Sequence, residues 1–497
     1  MDTSVILDGL WTALQPANLL WLLLGAALGT IVGILPGLGA ATGVAVLIPL
    51  TFGMEPVSAL ILMAAIYYGA LFGGSRSSIL INTPGDGSSI AATFDGYPMT
   101  KKGMAGQAMS IAAMASLIGG VMAIFGFIFL AIPLAKFALN FGPAEFLLLF
   151  LFALSAVVTL SQGNTIKGFL TMFLGLGIST IGVDLQSGVH RFTLGLPHLT
   201  DGINFIVIII GIYAIGEVLY NLLKPQHSNK SDNEAIGSKW FTKEQWKRSL
   251  GPILRSGPIG FFLGVLPGSG GTIASLLAYS TEKQVSKRKD EFGKGAVEGL
   301  VAPESANSSA AVGSMIPMLT MGIPGSGTTA VMLGALVMIG VTPGPLLFEN
   351  RPDMVWTLIN SMFIGNLILV IINILMVGML VKVLKTPPNV LYPIVLILSF
   401  LGAYTLGYST IDFYILIIAG VIGLFMRMLN YPVVPLILAL IVGGDMEQNF
   451  QRAMVVYDSP AAVLFASPIT IVLAILTLLS LCYPLITKVF RRRKAVN

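Results

Sequence analysis

The sequence predicts an all-α polytopic membrane protein of two inverted-topology repeats, with broken helices, re-entrant hairpins and roughly 10–12 transmembrane segments. Three observations carry this prediction. They are an apolar composition rich in glycine and proline, two pairs of matching motifs in the two halves of the chain, and an uneven distribution of basic residues.

The apolar composition indicates a membrane protein. Of 497 residues, 55% are hydrophobic and 10% are charged, whereas an ordinary soluble domain has roughly 25% charged residues. Apolar stretches close to the length of about 20 residues that spans a bilayer recur along the chain, for example at 18–35, 144–160 and 354–381. The 56 glycines and 27 prolines predict closely packed helices, and helix breaks covered by protein or by a water-filled cavity.

Two pairs of motifs indicate an internal repeat. The pattern Gly-x-x-x-Gly-x-Leu-Pro-Gly-x-Gly at residues 29–39 recurs at 260–270, a shift of 231 residues. Pro-Gly-Asp-Gly-Ser-Ser at residues 84–89 is followed, with a shift of 240, by Pro-Gly-Ser-Gly-Thr-Thr at 324–329. Inverted repeats with broken helices are a recurrent plan of secondary transporters. A channel built from such repeats would share this plan, so the repeat alone leaves both functions open.

Basic residues predict the orientation of the two halves. Between its motifs the second half has a polar loop, Glu282 to Lys294, with five basic residues, whereas the first half has the short link Thr51 to Glu55 with none. Because cytoplasmic loops are enriched in Lys and Arg, the loop is predicted to be cytoplasmic and the link periplasmic. In a bacterial inner membrane the amino terminus would then be periplasmic and the basic carboxyl-terminal tail cytoplasmic. Lys136 and Arg191 would lie outside, which counts weakly against this scheme.

The same features divide the chain into four parts. The predicted boundaries are a first membrane repeat at 1–223, a polar cytoplasmic linker at 224–250, a second membrane repeat at 251–457, and a final transmembrane helix with a basic tail at 458–497.

The Pro-Gly motifs are the candidate binding site. Proline ends the preceding helix, and the glycines leave backbone groups uncovered. The next half-helix then offers free N–H groups and a positive dipole end, which suit a carboxylate. Close helix packing is the alternative explanation, but packing does not require matched positions in two repeats. The predicted substrate-binding residues are Asn82, Thr83, Gly85, Gly87, Ser88, Ser89, Gly325, Ser326, Gly327, Thr328, Thr329 and Arg76.

A second set of residues is predicted to break helices or to bind a coupling ion. These residues are Pro36, Gly37, Gly39, Pro267, Gly268, Gly270, Glu304 and Asn307. Glu304 and Asn307 lie one turn apart on one face of a predicted helix and offer oxygen ligands, although Glu304 would also suit a helix start near the membrane edge. Arg76 fits either a substrate carboxylate or the membrane interface. The sequence Asp95-Gly96-Tyr97-Pro98 predicts a turn after the first hairpin.

Other classes of function find no support. No phosphate-binding loop follows Gly87, so the energy for transport would come from a sodium or proton gradient or from another subunit. The histidines of the outer loop lack a nucleophile elbow, which argues against a hydrolase. Three scattered histidines and the single Cys482 predict no metal site and no disulfide framework. The pI near 9.1 reflects the basic loops and tail, so no nucleic acid partner is predicted.

Several short motifs in a fixed order carry a family resemblance. They are Gly-Ile-Leu-Pro-Gly-Leu-Gly at 33–39, Pro-Leu-Thr-Phe-Gly-Met at 49–54, Ile-Tyr-Tyr-Gly at 66–69, Asn-Thr-Pro-Gly at 82–85, Asp-Gly-Tyr-Pro at 95–98, Ala-Pro-Glu-Ser-Ala-Asn at 302–307 and Gly-Ile-Pro-Gly at 322–325. With these motifs the chain resembles the large membrane subunit of the tripartite tricarboxylate transporter family. The resemblance implies uptake of an organic di- or tricarboxylate coupled to sodium or protons. It also implies a small membrane subunit and a periplasmic solute-binding protein as partners.

Two functions therefore compete. One is a secondary active transporter subunit with the substrate held between the hairpins. The other is a membrane channel or scaffold subunit without coupled transport, whose broken helices only shape a pore.

Overall fold

The computed structural model describes residues 3–35, 38–160, 164–184, 188–223, 237–238, 240–268, 270–375, 388–457 and 459–496. Pro36, Gly37 and residues 224–236 of the predicted linker lie outside the described residues. The last part of the predicted linker is described, and a helix begins there at Lys243.

The described part of the first half is helical apart from one short two-stranded ribbon. Its helices are α1 (Thr3–Ala13), α2 (Pro16–Ile34), α3 (Gly39–Leu47), α4 (Pro56–Ile81), α5 (Ile90–Lys101), α6 (Ala105–Ala138), α7 (Pro143–Leu160), α8 (Thr165–Ser179), α9 (Phe205–Ile210) and α10 (Gly216–Leu223). A π-helical turn, Gly211–Ile215, joins α9 to α10, and 3₁₀ turns lie at Ile48–Thr51, Gly87–Ser89 and Pro197–Leu199. The ribbon pairs β1 (Gly182–Val183) antiparallel with β2 (His190–Arg191).

The described part of the second half is also helical. Its helices are α11 (Lys243–Val265), α12 (Gly270–Val285), α13 (Val297–Met321), α14 (Gly327–Met338), α15 (Leu347–Asn350), α16 (Pro352–Leu375), α17 (Pro388–Gly407), α18 (Ile411–Met428), α19 (Val434–Val456), α20 (Pro460–Leu464) and α21 (Pro468–Val496). A 3₁₀ turn, Lys289–Glu291, precedes α13.

The helices meet the length and composition of membrane spans. Seven described helices are long and apolar enough to cross a bilayer, and five shorter apolar helices accompany them. Helix α4 is buried throughout its apolar window and α13 along nearly its whole length, whereas only a third of the α6 window is buried. Helices α4 and α13 are therefore central, and α6 presents apolar side chains outward. The prediction of an all-α polytopic membrane protein is confirmed.

Glycines bring matched pairs of helices into close contact. A Cβ added to Gly29 or Gly33 on α2 would collide with the backbone oxygens of Ile66 and Ala70 on α4. In the second half, Gly260 and Gly264 on α11 meet Ala306 and Ala310 on α13 in the same way. These contacts follow the shifts of 231 and 240 residues seen in the sequence. The opposite orientation of the halves in a membrane stays a prediction.

The prediction of a turn at Asp95–Pro98 is wrong. These residues lie inside α5, with Pro98 within the helix. The side chain of Asp95 is fully buried and ties the helix to the other half of the protein. Its Oδ1 accepts hydrogen bonds from the backbone N–H groups of Gly293, Gly295 and Ala296 at 2.7–2.9 Å. The hydroxyl of Tyr279 donates to Oδ2 at 3.0 Å. Long-range contacts therefore hold in a helix a segment whose composition is typical of a turn.

Arg191, which counted against the predicted orientation, is paired. Its guanidinium donates to Glu447 Oε1 at 2.8 Å and lies 3.3 Å from Asp184 Oδ1. The hydrogen bond to Glu447 raises the pKa of Arg191 above its usual value. Because two carboxylates accompany this cation, the loop around β2 does not present an isolated positive charge. Arg191 therefore counts little against the prediction that its loop lies outside the membrane on the periplasmic side.

Candidate functional site

The first break of each half has the same backbone geometry. Helix α2 ends at an extended Leu35 (φ −78°, ψ 117°), and α11 ends at an extended Leu266 (φ −77°, ψ 127°). The next helices begin at Gly39 and Gly270, with φ of +56° and +54°. Glycine adopts this left-handed conformation at little cost, and a residue with a Cβ rarely does. Both glycines are therefore needed to turn the chain into α3 and α12.

The second break of each half is also matched. Helix α4 ends at Asn82 and α13 at Gly322, both in the left-handed region at φ 55° and 71°. The next turns are capped by Asp86 and Ser326, which share φ −148°. Gly85 lies against the backbone of Gly33, and Gly325 lies against that of Gly264. In each half, therefore, the second break touches the end of the helix that precedes the first break.

Side chains from both second breaks form capping boxes. Asp86 Oδ1 accepts hydrogen bonds from the N–H groups of Ser88 and Ser89 at 3.0 and 3.2 Å, and from the Ser88 hydroxyl at 2.6 Å. The start of α3 lies beside Asp86, because a Cβ added to Gly39 would lie 3.2 Å from the Asp86 Cβ. In the second half Ser326 Oγ accepts from the Thr329 N–H at 3.2 Å, and Thr329 Oγ1 accepts from the Ser326 N–H at 2.8 Å. Ser89 and Thr329, predicted as substrate ligands, thus take part in caps.

Tyr67 on α4 connects the halves at the centre of the bundle. Its phenol oxygen lies 3.4 Å from Ser326 Oγ and 3.5 Å from Ser314 Oγ, both in the second half. It also interacts electrostatically with Asp86 in its own half. The two hairpins therefore approach each other around buried polar groups. The shift of 240 residues pairs Tyr67 with Asn307.

Arg76 on α4 and Glu304 on α13 are both buried and interact electrostatically. Arg76 is 1% exposed and donates to Asn373 Oδ1 and to the Met109 carbonyl, both at 3.0 Å. Glu304 is 3% exposed and accepts hydrogen bonds from Ser75 at 2.7 Å and Ser116 at 3.1 Å. Arg76 therefore does not lie at an exposed interface, and Glu304 lies within α13 instead of starting it.

The structure places the remaining predicted residues around the same breaks. Ser88, Thr328 and Thr329 are buried at the starts of their half-helices, while Asp86, Gly87, Ser326 and Gly327 are partly exposed and Asn82 is exposed. Pro267 is buried, and Gly268 adopts φ +78° and donates its N–H to the Gly325 carbonyl at 3.1 Å. Thr83 donates its hydroxyl to the Ile81 carbonyl at 3.2 Å.

Four residues of this centre were missed from the sequence. Asp86 was absent from the predicted site, although an acidic residue three positions before Ser89 is typical of a helix cap. Tyr67 gave a weaker signal, namely its position 240 residues before Asn307. Ser75 and Ser116, which hold Glu304, gave none, because their role depends on packing between α4, α6 and α13.

A cavity lies away from the breaks. It has a volume of about 490 Å³ and lies between α7, α8 and α19. Its lining is mostly leucine, methionine and phenylalanine and includes Glu447. This lining suits an apolar chain better than a carboxylate, so the breaks remain the candidate site.

Buried central helices, two pairs of matched breaks and seven long apolar helices define a multi-pass membrane protein with a polar centre. Residues 19–438 match the tripartite tricarboxylate transporter TctA family, and the chain belongs to that family. It is therefore a subunit of a tricarboxylate transporter, in a transporter family and not an enzyme family. A tripartite transporter has other subunits, including a binding protein.

Two curated relatives come from Agrobacterium vitis. An uncharacterized 52.8 kDa protein in the TAR-I ttuC' 3' region is 41% identical over 466 residues, which cover 93% of this chain and 92% of that protein. An uncharacterized protein in the TAR-II ttuC' 3' region is 39% identical over 237 residues, which cover 48% of this chain and 98% of that protein. No solved structure matches the chain.

Proposed function

We propose that this chain is the translocating subunit of a secondary active transporter that takes up an organic di- or tricarboxylate across the bacterial inner membrane. A sodium or proton gradient drives uptake, a periplasmic binding protein delivers the substrate, and a small membrane subunit completes the complex. The observation that supports this proposal most is the meeting of both broken hairpins at a buried polar centre, around Tyr67 and Ser326.

The helix starts at the breaks supply the chemistry for an anion. Helix α14 begins at Gly327, and its first N–H groups have no partner inside the helix. Such N–H groups and the positive dipole end favour a carboxylate. Thr328, buried at the start of α14, adds a hydroxyl donor. In this proposal the substrate binds between the two hairpins, and Arg76 adds positive charge to the centre.

Transport measurements test the proposal. Cells that produce the three subunits are given a panel of radiolabelled di- and tricarboxylates, and accumulation is followed with ATP present while ionophores collapse the sodium or proton gradient. We expect accumulation above the outside concentration, and its loss when the driving gradient is collapsed. Flux that only equilibrates would support the channel, and uptake that stops on ATP depletion with gradients intact would overturn the proposal.

A matched pair of variants tests the position of the substrate. Thr328→Ala removes a donor to a charged carboxylate, which is worth roughly 1.5–3 kcal/mol, so half-maximal uptake should need about ten- to a hundredfold more substrate. The control is Thr320→Ala, a buried threonine that donates to Ile316 in its own helix. Equal behaviour of the two variants would place the substrate elsewhere.

A further inference from the structure

One buried oxygen near the breaks has no hydrogen-bond donor among the described residues. Asn307 on α13 is 3% exposed, and its side-chain oxygen Oδ1 is buried without a partner there. Leaving a buried acceptor unsatisfied costs roughly 1–3 kcal/mol. Each such group in a native protein calls for an explanation, and a bound ion is one of the common ones.

The unpartnered oxygen points at the start of α12 and at the opposite hairpin. It lies over Gly271, so close that a Cβ added there would collide with it. That same Cβ would lie 3.0 Å from the Cβ of Ser88, in the first half of the protein. The Ser88 hydroxyl in turn contacts Asp86 Oδ1 at 2.6 Å. An amide oxygen, a hydroxyl and a carboxylate from both halves thus lie beside the start of α12.

The Asp86 carboxylate keeps capacity for another partner. The three hydrogen bonds from Ser88 and Ser89 all end on Oδ1. A carboxylate has about four lone-pair sites on its two oxygens. Asp86 is also partly exposed, so that an ion can reach it from water.

The charge of the centre favours a cation. Among the described side chains, Arg76 is the only buried Lys or Arg, and its described hydrogen bonds go to Asn373 and to Met109. Two carboxylates, Asp86 and Glu304, lie in the same centre. With both carboxylates ionised, one negative charge is in excess in a region of low dielectric, where an uncompensated charge is costly.

We propose that a sodium ion binds beside the start of α12, with the Asp86 carboxylate, the Ser88 hydroxyl and the Asn307 side-chain oxygen as its ligands. Oxygen ligands of this kind suit a hard cation. The positive dipole end of α12 opposes a cation, so the carboxylate is indispensable. The role of this sodium as the coupling ion rests on the proposed function. Its binding, however, can be measured without transport.

The position that the internal repeat pairs with this site lacks these ligands. The repeat shifts pair Asn307 with Tyr67, Asp86 with Ser326, and Gly271 with Ala40. No carboxylate stands at Ser326, and the phenol of Tyr67 already has two serine neighbours. The ion is therefore bound on one side of the centre, which leaves the start of α14 to the substrate carboxylate.

Sodium-dependent thermal unfolding of the purified full-length protein tests this site. The unfolding temperature is followed while sodium chloride replaces choline chloride at constant ionic strength. We expect saturable stabilisation of the wild type. Asp86→Asn keeps an N-cap residue but loses the charge, and should raise the half-maximal sodium concentration about tenfold or more, as the loss of about 1.4 kcal/mol of binding would. Asn307→Leu and Gly271→Ala should act in the same direction.

Matched controls separate the site from general damage. Asp95→Asn changes another buried carboxylate of the same half, and Asn366→Leu changes another buried asparagine, which donates to Met362 in its own helix. Both should keep the wild-type sodium midpoint, even at a lower unfolding temperature. Absence of any sodium effect in the wild type would overturn the site, as would a midpoint shifted by Glu304→Gln and not by Asp86→Asn. Gradient-driven uptake without sodium would refute this site and leave the proposed function intact.

Discussion

Asp86 and Ser326 occupy the same point in the two halves of the protein. Each follows a left-handed residue, each has φ −148°, and each caps the next half-helix through a residue three positions on. Asp86, however, carries a charge and accepts three hydrogen bonds, whereas Ser326 is neutral and shares its hydroxyl with Thr329 and Tyr67. The two halves therefore share a backbone geometry but place different side chains, one charged and one neutral, at the same centre.

The half-helices differ in their anchoring as well. Helix α5 is tied down by Asp95, which accepts four hydrogen bonds from the second half. The shift of 240 residues pairs Asp95 with Ala335 on α14, which is buried and apolar. The first hairpin is therefore held by long-range polar contacts, and the second by apolar packing. The following substitutions test this comparison, from the largest expected effect to the smallest.

Filling the close approach at the second breaks should have the largest effect. Gly85→Val places side-chain atoms against the Gly33 backbone and against Gly74 Cα, which a Cβ would reach at 2.5 Å. Gly325→Val meets Gly264 O at 2.6 Å. Overpacking against backbone should cost about 3 kcal/mol or more, so little monodisperse protein should be recovered on size-exclusion chromatography. The control is Gly177→Ala, which meets nothing within 4 Å. Normal recovery of both valine variants would contradict the paired close approach.

Removal of the Asp95 anchor should rank second. Asp95→Ala leaves three backbone N–H groups and the Tyr279 hydroxyl without their acceptor, which should lower the free energy of unfolding by about 2–3 kcal/mol. Chemical unfolding of the purified protein measures this loss. Asp290→Ala, an exposed carboxylate of the nearby loop, is the control and should stay within about 0.5 kcal/mol. Equal values for the two variants would show that Asp95 does not hold the halves together.

Loss of either cap should have a smaller and similar effect in the two halves. Asp86→Ala and Ser326→Ala each remove an N-cap side chain, at a cost of about 0.5–2 kcal/mol. Their sodium responses should differ, because only Asp86 is proposed as an ion ligand. Thermal unfolding with and without sodium compares both. Equal sodium responses of the two variants would contradict the proposal that Asp86, and not Ser326, is an ion ligand.

The smallest effect is expected from Tyr67→Phe. Its phenol lies 3.4–3.5 Å from Ser326 and Ser314, so each hydrogen bond is long and should contribute less than about 1 kcal/mol. The half-maximal substrate concentration for uptake should therefore change less than about fivefold. Tyr68→Phe, which loses a contact to Met315 Sδ, is the control. A tenfold change in Tyr67→Phe alone would make this phenol a substrate ligand.

The sequence predicted the fold class and the breaks because both depend on local composition. Long apolar runs, Pro-Gly pairs and the two repeat shifts are visible in the chain, and the backbone at Gly39 and Gly270 follows from them. The role of Asp95 could not be predicted, since its partners lie about 200 residues away and are backbone N–H groups. The partners of Glu304 were missed for the same reason. The capping function of Asp86, by contrast, was visible in its spacing from Ser89.

The proposed function requires two hairpins that enter one centre from opposite sides of the membrane. Two single-cysteine variants test the sides from which the hairpins enter, once Cys482 is replaced by serine. They are Gly53→Cys in the short link and Lys287→Cys in the basic loop. Both positions are exposed. A membrane-impermeant maleimide applied to intact cells with a permeabilised outer membrane should label Gly53→Cys and should reach Lys287→Cys only after the inner membrane is opened. Equal labelling of the two positions in intact cells would contradict the inverted arrangement.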